Sequence, residues 1–262
     1  MRLALASLIV VGYCGPSLLG QQALQGWDIK TQTTAIVLDA IDESQGTVAT
    51  FVFRNASQRN VTAFAVSFGP DDRLFADFFN TQKGGLAPGE VHKAGVGFGG
   101  PRSLEISAVL FDDGTGEGLK REIDRMRYNQ IGQIIETERL NQLFQGVAER
   151  SVADTDPESL VRQVGELPGG IASLRKTFGT VGMLGFSVVE QACRQPETYE
   201  LRGLVTGVHG ERSQVLRRLA EISADQDTTA RNVSLLHLSA SYQTTGARHS
   251  ALRAQIQQGA AQ

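Results

Sequence analysis

The amino-acid sequence predicts a two-part α+β protein in which antiparallel strands come first and helices follow. Nine of the twelve phenylalanines lie between Phe51 and Phe111. Strand-favouring residues dominate up to about residue 115, and helix-favouring residues dominate after it. Residues 21–117 contain 7 basic and 12 acidic side chains, whereas residues 118–262 contain 17 and 16. We therefore divide the chain into a leader at 1–20, a strand domain at 21–117 and a helical domain at 118–262.

The strand domain is predicted from segments in which apolar residues alternate with a period of two. Three such segments each place one face toward a core: Ala49, Phe51 and Phe53; Phe64, Val66 and Phe68; Leu104, Ile106, Ala108 and Leu110. A further strand at 33–41 is apolar on both sides, which predicts a central place in a sheet. About six or seven short strands, joined by polar loops and turns such as "APGE" at 87–90, indicate an immunoglobulin-like (Ig-like) antiparallel β-sandwich. A small barrel is the alternative.

The helical domain is predicted to be an α-helical bundle or a helical hairpin. Residues 118–150 contain few helix breakers, and Asp156 followed by Pro157 predicts the start of a short helix. Two long helices then carry apolar stripes with steps of four and three, and a joint at 223–230 would let them pack antiparallel. The stripes are Leu201, Val205, Val208, Arg212, Val215, Leu219 and Ile222, and Leu235, Leu238, Tyr242, Thr245, His249, Leu252 and Ile256. They fit a bundle core or the interface of a coiled-coil dimer.

The first twenty residues have the layout of a secretory signal peptide. Arg2 precedes a short apolar stretch, and a Gly-Pro break follows it. The apolar stretch is too short to span a bilayer, so we expect cleavage after Gly20 and export to the periplasm or the cell exterior. Cys14 invites a lipoprotein interpretation, but Tyr13 before it is too large for that pattern. Cleavage leaves Cys193 as the remaining cysteine, which excludes an intrachain disulfide and a multi-thiolate metal site.

The segment "VLFDDGTGEGLKREI" at 109–123 is the stretch that most resembles a ligand site. A phosphate-binding interpretation fails because a dinucleotide fingerprint needs a small residue where Leu119 stands, and a Walker loop needs Lys-Ser/Thr after its last glycine. Asp112, Asp113 and Glu117 are weak candidates for metal ligands, because three acids supply fewer oxygens than Ca²⁺ prefers. The plain alternative is a glycine-rich joint between the last strand and the first helix.

The sequence assigns no catalytic residue and no cofactor. The four histidines, His92, His209, His237 and His249, are scattered, and we expect His249 on its apolar stripe to be a hydrogen-bonded core or interface histidine rather than a base. Cys193 has no assigned catalytic partner. The uncharged, glycine-bearing segment 178–189 is too short to cross a bilayer, and either core packing or contact with a membrane or partner explains it.

Three segments also carry a resemblance. "FVFRNASQRNVTAF" at 51–64, "LAPGE" at 86–90 and "LEISAVLFDDGTGEG" at 104–118, leading into a helix, resemble uncharacterised exported bacterial proteins in which a helical tail follows an Ig-like domain. The shared motifs are structural. The resemblance therefore implies a fold and an exported location, and it implies no chemistry.

These observations predict an exported, non-catalytic binding or scaffolding protein whose partner is another protein or a cell-envelope component. Hydrophobic residues make up 41% of the chain and charged residues 20%, which is typical of a folded protein. A formal net charge of −3 lacks the basic excess that holds nucleic acid. Two rival hypotheses remain. One is an enzyme with its site in the groove between the two domains, and the other is a membrane-associated helical module.

Overall fold

A computed structural model gives a mixed α+β structure with eight strands in two sheets and four helices in the part of the chain that it describes. The described residues are 26–45, 48–68, 73–81, 83–97, 102–149, 155–169, 172 and 198–260. The predicted signal peptide with Cys14, the segment 178–189 and Cys193 lie outside these residues. The stripe side chains of Leu252 and Ile256 lie outside them as well.

The strands form a five-stranded sheet, here sheet A, and a three-stranded sheet, here sheet B. Sheet A has the order β1-β7-β4-β5, with β8 also paired to β7, and sheet B has the order β2-β3-β6. The strands are β1 (Asp28–Thr31), β2 (Ile36–Gln45), β3 (Val48–Asn55), β4 (Val61–Ser67), β5 (Arg73–Asp77), β6 (Val91–Gly97), β7 (Ser103–Phe111) and β8 (Gly116–Gly118). All pairs are antiparallel except the parallel pair of β1 and β7.

One hydrophobic cluster joins the inner faces of the two sheets. Phe51 and Phe53 of β3 are fully buried and meet Phe64 of β4 and Ile106 of β7 in this cluster. The Phe53 and Phe64 rings lie 5.2 Å apart. The predicted inward faces of the β3 and β4 segments are therefore confirmed, because period-two alternation is a local property of the strand.

The predicted face of β7 is wrong in its second half. Leu104 and Ile106 point into the core between the sheets, whereas Ala108 and Leu110 belong to a second cluster on the other side of sheet A. The register of β7 against β4 shifts at this point, with Val66 opposite Ile106 and Ala65 opposite Ala108. Ser107 is the extra residue of this β-bulge, and a one-residue shift moves every following side chain to the opposite face.

The predicted central place of the strand at 33–41 is also wrong, because β2 lies at one edge of sheet B. Ile36, Leu38 and Ile41 are buried, but Val37 remains 37% exposed. The pairing of β2 with β3 contains two register shifts. Single apolar residues are common on protein surfaces, and an edge strand can carry one on its outer face. The continuous apolar sequence at 33–41 therefore predicted more burial than this strand has.

The helices are α1 (Lys120–Glu149), α2 (Pro157–Glu166), α3 (Tyr199–Ala224) and α4 (Thr228–Ala260). The predicted start of α2 is confirmed, since the Asp156 carboxylate accepts hydrogen bonds from the backbone N–H groups of Glu158 and Ser159, both at 3.1 Å. The predicted joint between the two long helices is confirmed at residues 225–227. Of the described helices, none is long and apolar enough to cross a membrane.

Helices α1 and α3 approach each other so closely that their backbones touch. A Cβ added to Gly207 of α3 would lie closer to the Asn129 carbonyl of α1 than real Cβ contacts allow, and the same holds for Gly203 against Arg125 and for Gly132 against Leu204. Glycine is required at these positions because there is no room for a side chain. Helix α3 therefore packs mainly along α1 rather than forming a simple hairpin with α4.

The strand and helical regions share two contacts. The first is the outer face of sheet A, where Ala108 and Leu110 pack against Ile123 and Met126 of α1. The second is the loop after β5, where Phe79 is 2% exposed inside a cluster of α1 and α3 residues that includes Ile131 and Leu204. As a result, helices cover the outer face of sheet A, and the outer face of sheet B stays exposed.

Candidate functional site

The acidic loop between β7 and α1 is built as a set of turns. The Asp113 carboxylate accepts hydrogen bonds from the Thr115 N–H at 2.9 Å and from the Arg59 guanidinium. Burial raises the pKa of Asp113, but these hydrogen bonds and the charge of Arg59 outweigh burial and hold it below the ordinary value. Gly114 has φ +78°, which suits glycine at this turn.

The other two acids of this loop face different partners. Glu117 accepts a hydrogen bond from the Thr34 backbone N–H at 2.6 Å, which lowers the pKa of Glu117. Asp112 is exposed, and its backbone N–H donates to the Asn60 carbonyl at 3.1 Å. The described residues contain no group of three His, Cys, Asp or Glu side chains that could hold a metal ion. The contacts of this loop thus fit a joint, in which the carboxylates of Asp113 and Glu117 bind two separate pieces of backbone.

A second polar cluster lies where the loop after β5 enters the helices. Asn80 donates from Nδ2 to Glu211 Oε2 at 2.5 Å, and its Oδ1 lies 2.8 Å from His249 Nε2. Because Asn80 Oδ1 can only accept, His249 carries a proton on Nε2. Tyr242 donates its hydroxyl proton to Glu211 Oε1 at 2.8 Å, and the His249 ring stacks on Phe79 with centroids 4.9 Å apart.

In this cluster, hereafter the junction cluster (Asn80, Glu211, Tyr242 and His249), Asn80 is partly buried and the other three residues are buried. Glu211 and Tyr242 each expose 6% of their surface, and His249 exposes none. Burial raises the pKa of Glu211, because the hydrogen bonds from Tyr242 and Asn80 compensate only part of the lost hydration. Groups that are this deeply buried hold elements together but do not present an acid or a base to a substrate. The expectation that His249 is a hydrogen-bonded core histidine is confirmed.

A buried ion pair lies beside the junction cluster. Glu136 of α1 is fully buried and accepts from Arg212 Nε at 2.7 Å and from Arg139 at 3.3 Å. Arg212 also donates to the Leu167 carbonyl at 2.6 Å, at the end of α2. This explains the charged exception in the apolar stripe of α3, because Arg212 ties three helices together through groups that water does not reach.

Two surface grooves are open to solvent. One, of about 360 Å³, lies between the C-terminal end of α3 and the first half of α4, and its lining includes Glu221, Asp225 and His237. The other, of about 500 Å³, lies beside the start of β6 and is lined by Phe78, Leu86 and His92 among others. Burial between the Phe64 and Phe78 rings lowers the pKa of His92, so this imidazole is neutral near pH 7. The lining of the second groove is mixed, since Phe78 and Leu86 lie beside Thr81, Lys83 and Glu90, and the groove adjoins an exposed strand.

That strand, β6, is the sheet edge with the least protection in the described structure. Edge strands are usually kept from pairing by shortness, bulges or charge. In sheet A, β1 has 4 residues and β5 has 5. In sheet B, β2 has two register shifts and carries Asp39, Asp42 and Glu43. By contrast, β6 has 7 residues in unbroken register with β3 and contains one lysine, two glycines and no proline.

The hydrogen-bond directions of β6 follow from one contact. The Asn55 N–H of β3 donates to the Glu90 carbonyl at 3.0 Å, just before β6. Bonded pairs recur every second residue in an antiparallel ladder, so His92, Ala94 and Val96 bond to β3. The N–H and C=O groups of the alternate residues, Val91, Lys93, Gly95 and Gly97, point away from β3. None of the described strands pairs with them there.

The sequence predictions did not single out the junction cluster or the β6 edge. Asn80 and His249 are 169 positions apart, so no local spacing connects them. The available signal was the presence of Arg212 and His249 on otherwise apolar stripes. For β6, the signal was the pair of glycines in "VHKAGVG", whose meaning depends on knowing that this strand lies at an edge. Comparison of this chain with known proteins found no matching family model, no similar curated protein and no similar solved structure.

Proposed function

We propose that this protein is an exported, non-catalytic binding or scaffolding protein of the periplasm or the cell exterior. In this proposal the strand region is an Ig-like β-sandwich, the helical region is a bundle, and β6 is the binding edge. The observation that carries the proposal is the row of backbone donors and acceptors that β6 directs away from β3. Such a row binds an extended polypeptide by adding it to the sheet as a further strand.

The surroundings of β6 support the same conclusion. Gly95 and Gly97 have no side chains on the outer face of the strand. An incoming strand therefore has room beside Val91 and Lys93. Val91 is 47% exposed, and the groove that Phe78 and Leu86 share with Lys83 and Glu90 lies next to it. Backbone bonds supply affinity in this mode, and a groove for side chains supplies selectivity.

The helical region supports the proposal by acting as a rigid mount. Helix α1 covers the outer face of sheet A through Ile123 and Met126, and Phe79 fixes the loop after β5 among the helices. That loop leads directly to β6. A binding edge that these helix contacts already fix in place loses little conformational entropy when a partner strand is added.

Site-specific photo-crosslinking tests the proposal. A benzophenone amino acid replaces Lys93 on β6 in one variant and Val37 on the protected edge β2 in the other, and each full chain is expressed in a bacterium and irradiated. We expect a covalent adduct with a polypeptide from position 93 and little or none from position 37. Equal adducts at both positions, or none at either, would contradict a binding role for β6.

A further inference from the structure

We infer that the strand added to β6 is the β6 strand of a second copy of this chain, paired antiparallel about a two-fold axis at Ala94. This inference rests on the proposed binding role of β6 and names its partner. Both sheets B would then join into one continuous sheet across the dimer.

The backbone directions restrict the possible registers. Only residues of odd number in β6 direct N–H and C=O groups to the open side, so a stable register must place odd residues opposite odd residues. A two-fold axis at Ala94 does this, with Lys93 opposite Gly95 of the second copy and Val91 opposite Gly97. Each such pair exchanges two hydrogen bonds. Because Ala94 is the midpoint of Val91–Gly97, this register pairs the whole strand.

The side chains select this register from its neighbours. With the axis at Ala94, the two large outward residues, Val91 and Lys93, each face a glycine of the other copy. An axis at Lys93 would place two lysines directly opposite each other, which is unfavourable. An axis at Gly95 would leave Val91 without a partner inside the strand. The alternation of large and small outward residues is therefore complementary to itself under the two-fold operation, as an isologous interface requires.

The inner side of the paired strands is compatible with the same axis. Ala94 is 8% exposed and faces the core of its own copy, and it would meet Ala94 of the second copy as a pair without mutual hydrogen bonds, the closer type of antiparallel pair. Small side chains at the axis avoid a clash at this short separation. His92 would face Val96 of the second copy at the rim of the core.

Charge variants at Gly95 test the register. A Cβ at Gly95 meets only Val48 Cγ1, at 3.6 Å, and Gly95 has no positive φ, so single copies should tolerate a side chain there. In the inferred dimer, residue 95 of each copy faces Lys93 of the other copy, so a substitution at 95 acts at two symmetric contacts. We expect Gly95→Lys to raise the dissociation constant about tenfold in sedimentation equilibrium and Gly95→Glu to lower it, with both effects shrinking at high salt. Equal behaviour of the two variants, or a monomeric wild type, would overturn the inference.

A cysteine scan locates the axis independently. In a chain with Cys14→Ser and Cys193→Ser, Ala94→Cys places two thiols at a Cα separation of about 4.5 Å, within disulfide range, whereas Lys93→Cys places them on the diagonal at about 7–8 Å. We expect oxidised dimers from position 94 and few from position 93. Preferential dimers from position 93 would overturn the axis at Ala94. Unchanged melting temperatures establish that both variants fold.

The photo-crosslinking products separate this inference from the proposed function. A position-93 adduct with twice the mass of the chain supports both. An adduct with a different polypeptide, together with a monomeric wild type, overturns pairing with a second copy and leaves the binding role of β6 standing. If no adduct forms at position 93, the binding role itself fails.

Discussion

The junction cluster and the β6 edge are both concentrations of polar groups, but they differ in what those groups lack. At the junction cluster, Glu211 and Tyr242 have lost contact with water and have gained hydrogen-bond partners inside the protein. At β6, the outward backbone groups of Lys93 and Gly95 keep their contact with water and have no described strand beside them. The first arrangement is enclosed within the protein, and the second is half of a ladder.

This difference shows where function should be sought in this molecule. A histidine that Asn80 links to a glutamate, with a tyrosine bonded to the same glutamate, would suggest catalysis from residue type alone. Their burial assigns them to stability, since a substrate must reach a catalytic group. The backbone edge has no unusual residue type, yet its outward donors and acceptors are accessible to a further strand.

The largest effect is expected from breaking the buried ion pair beside the junction cluster. Arg212→Ala leaves Glu136 charged and buried without its main partner, and we expect the free energy of unfolding to fall by about 3–5 kcal/mol. Arg217→Ala, on the exposed side of the same helix, should change it by less than about 0.5 kcal/mol. Denaturant unfolding measures both. Similar small losses in the two variants would show that the pair is not essential to the helical core.

The next effect tests the close contact of α1 and α3. Gly207→Ala must push the two backbones apart, and we expect a loss of about 1–3 kcal/mol in the free energy of unfolding. Gly210 lies on the same helix with no atom within 4 Å of an added Cβ. There, Gly210→Ala should stabilise the protein by up to about 1 kcal/mol, because alanine favours the helix. A loss of equal size at both positions would point to helix propensity rather than packing.

A smaller effect concerns the pH dependence of the junction cluster. The folded state binds the Glu211 proton more tightly than the unfolded chain, in which a glutamate has a pKa of about 4.3. Glu211 therefore favours folding most below that pH, and this contribution is lost as the pH rises through the raised pKa. We expect Glu211→Gln to gain stability relative to wild type as the pH increases from 4 to 7, measured by urea unfolding in a buffer series.

The groups facing Glu211 bear on that measurement. Tyr242 and Asn80 donate to it, Glu136 raises its pKa, and Arg218 lowers it. Burial also raises the pKa of Asp77. Asp77 is present in both wild type and Glu211→Gln, so its contribution cancels from the difference between their free energies of unfolding. A pH-independent difference between wild type and Glu211→Gln would mean that folding does not hinder the ionisation of Glu211.

Amide exchange compares the two classes of backbone group within β6. The N–H groups of His92 and Ala94 bond to β3 and should exchange slowly at any protein concentration. The N–H groups of Lys93 and Gly95 should exchange quickly in dilute solution. As the protein concentration rises, their exchange should slow in proportion to the ratio of dimer to monomer. Nuclear magnetic resonance measures each amide separately. Protection of Lys93 in dilute monomer would show that its edge is already paired.

The smallest effect is expected at the acidic joint. Asp113→Asn weakens an exposed pair with Arg59 and should cost less than about 1 kcal/mol. Calcium should leave the melting temperature of wild type and variant unchanged, because the carboxylates of Asp113 and Glu117 bind separate backbone segments. If calcium raised the wild-type melting temperature and Asp112→Asn or Asp113→Asn abolished the rise, the joint would be a metal site.

The features predictable from sequence were those set by neighbouring residues. The Asp156 cap, the alternation around Phe51 and the joint near residue 225 depend on a few consecutive positions, and the structure has all three. The change from strands to helices near residue 118 is of the same kind. The assignment of two separate domains stays a prediction, as does the signal peptide.

The features that could not be predicted depend on a distant partner. Ser107 becomes a bulge only because of how β7 pairs with β4, and nothing in "LEISAVLF" marks it. The place of β2 at an edge depends on the order of all strands in sheet B. Asn80 gains its role from α3 and α4, which follow it by more than a hundred residues. Topology has to be known before any of these residues can be interpreted.

The burial of Phe79 also constrains when the protein can finish folding. A ribosome makes the chain from the N-terminus, so the strand region exists before the helices that receive Phe79. This ring cannot complete its burial until α1 and α3 have formed, and its stacking partner His249 follows it in the chain by 170 residues. A nascent chain that stops before α4 leaves the Asn80 loop without its His249 partner, so the strand region cannot complete its contacts before the helices are made.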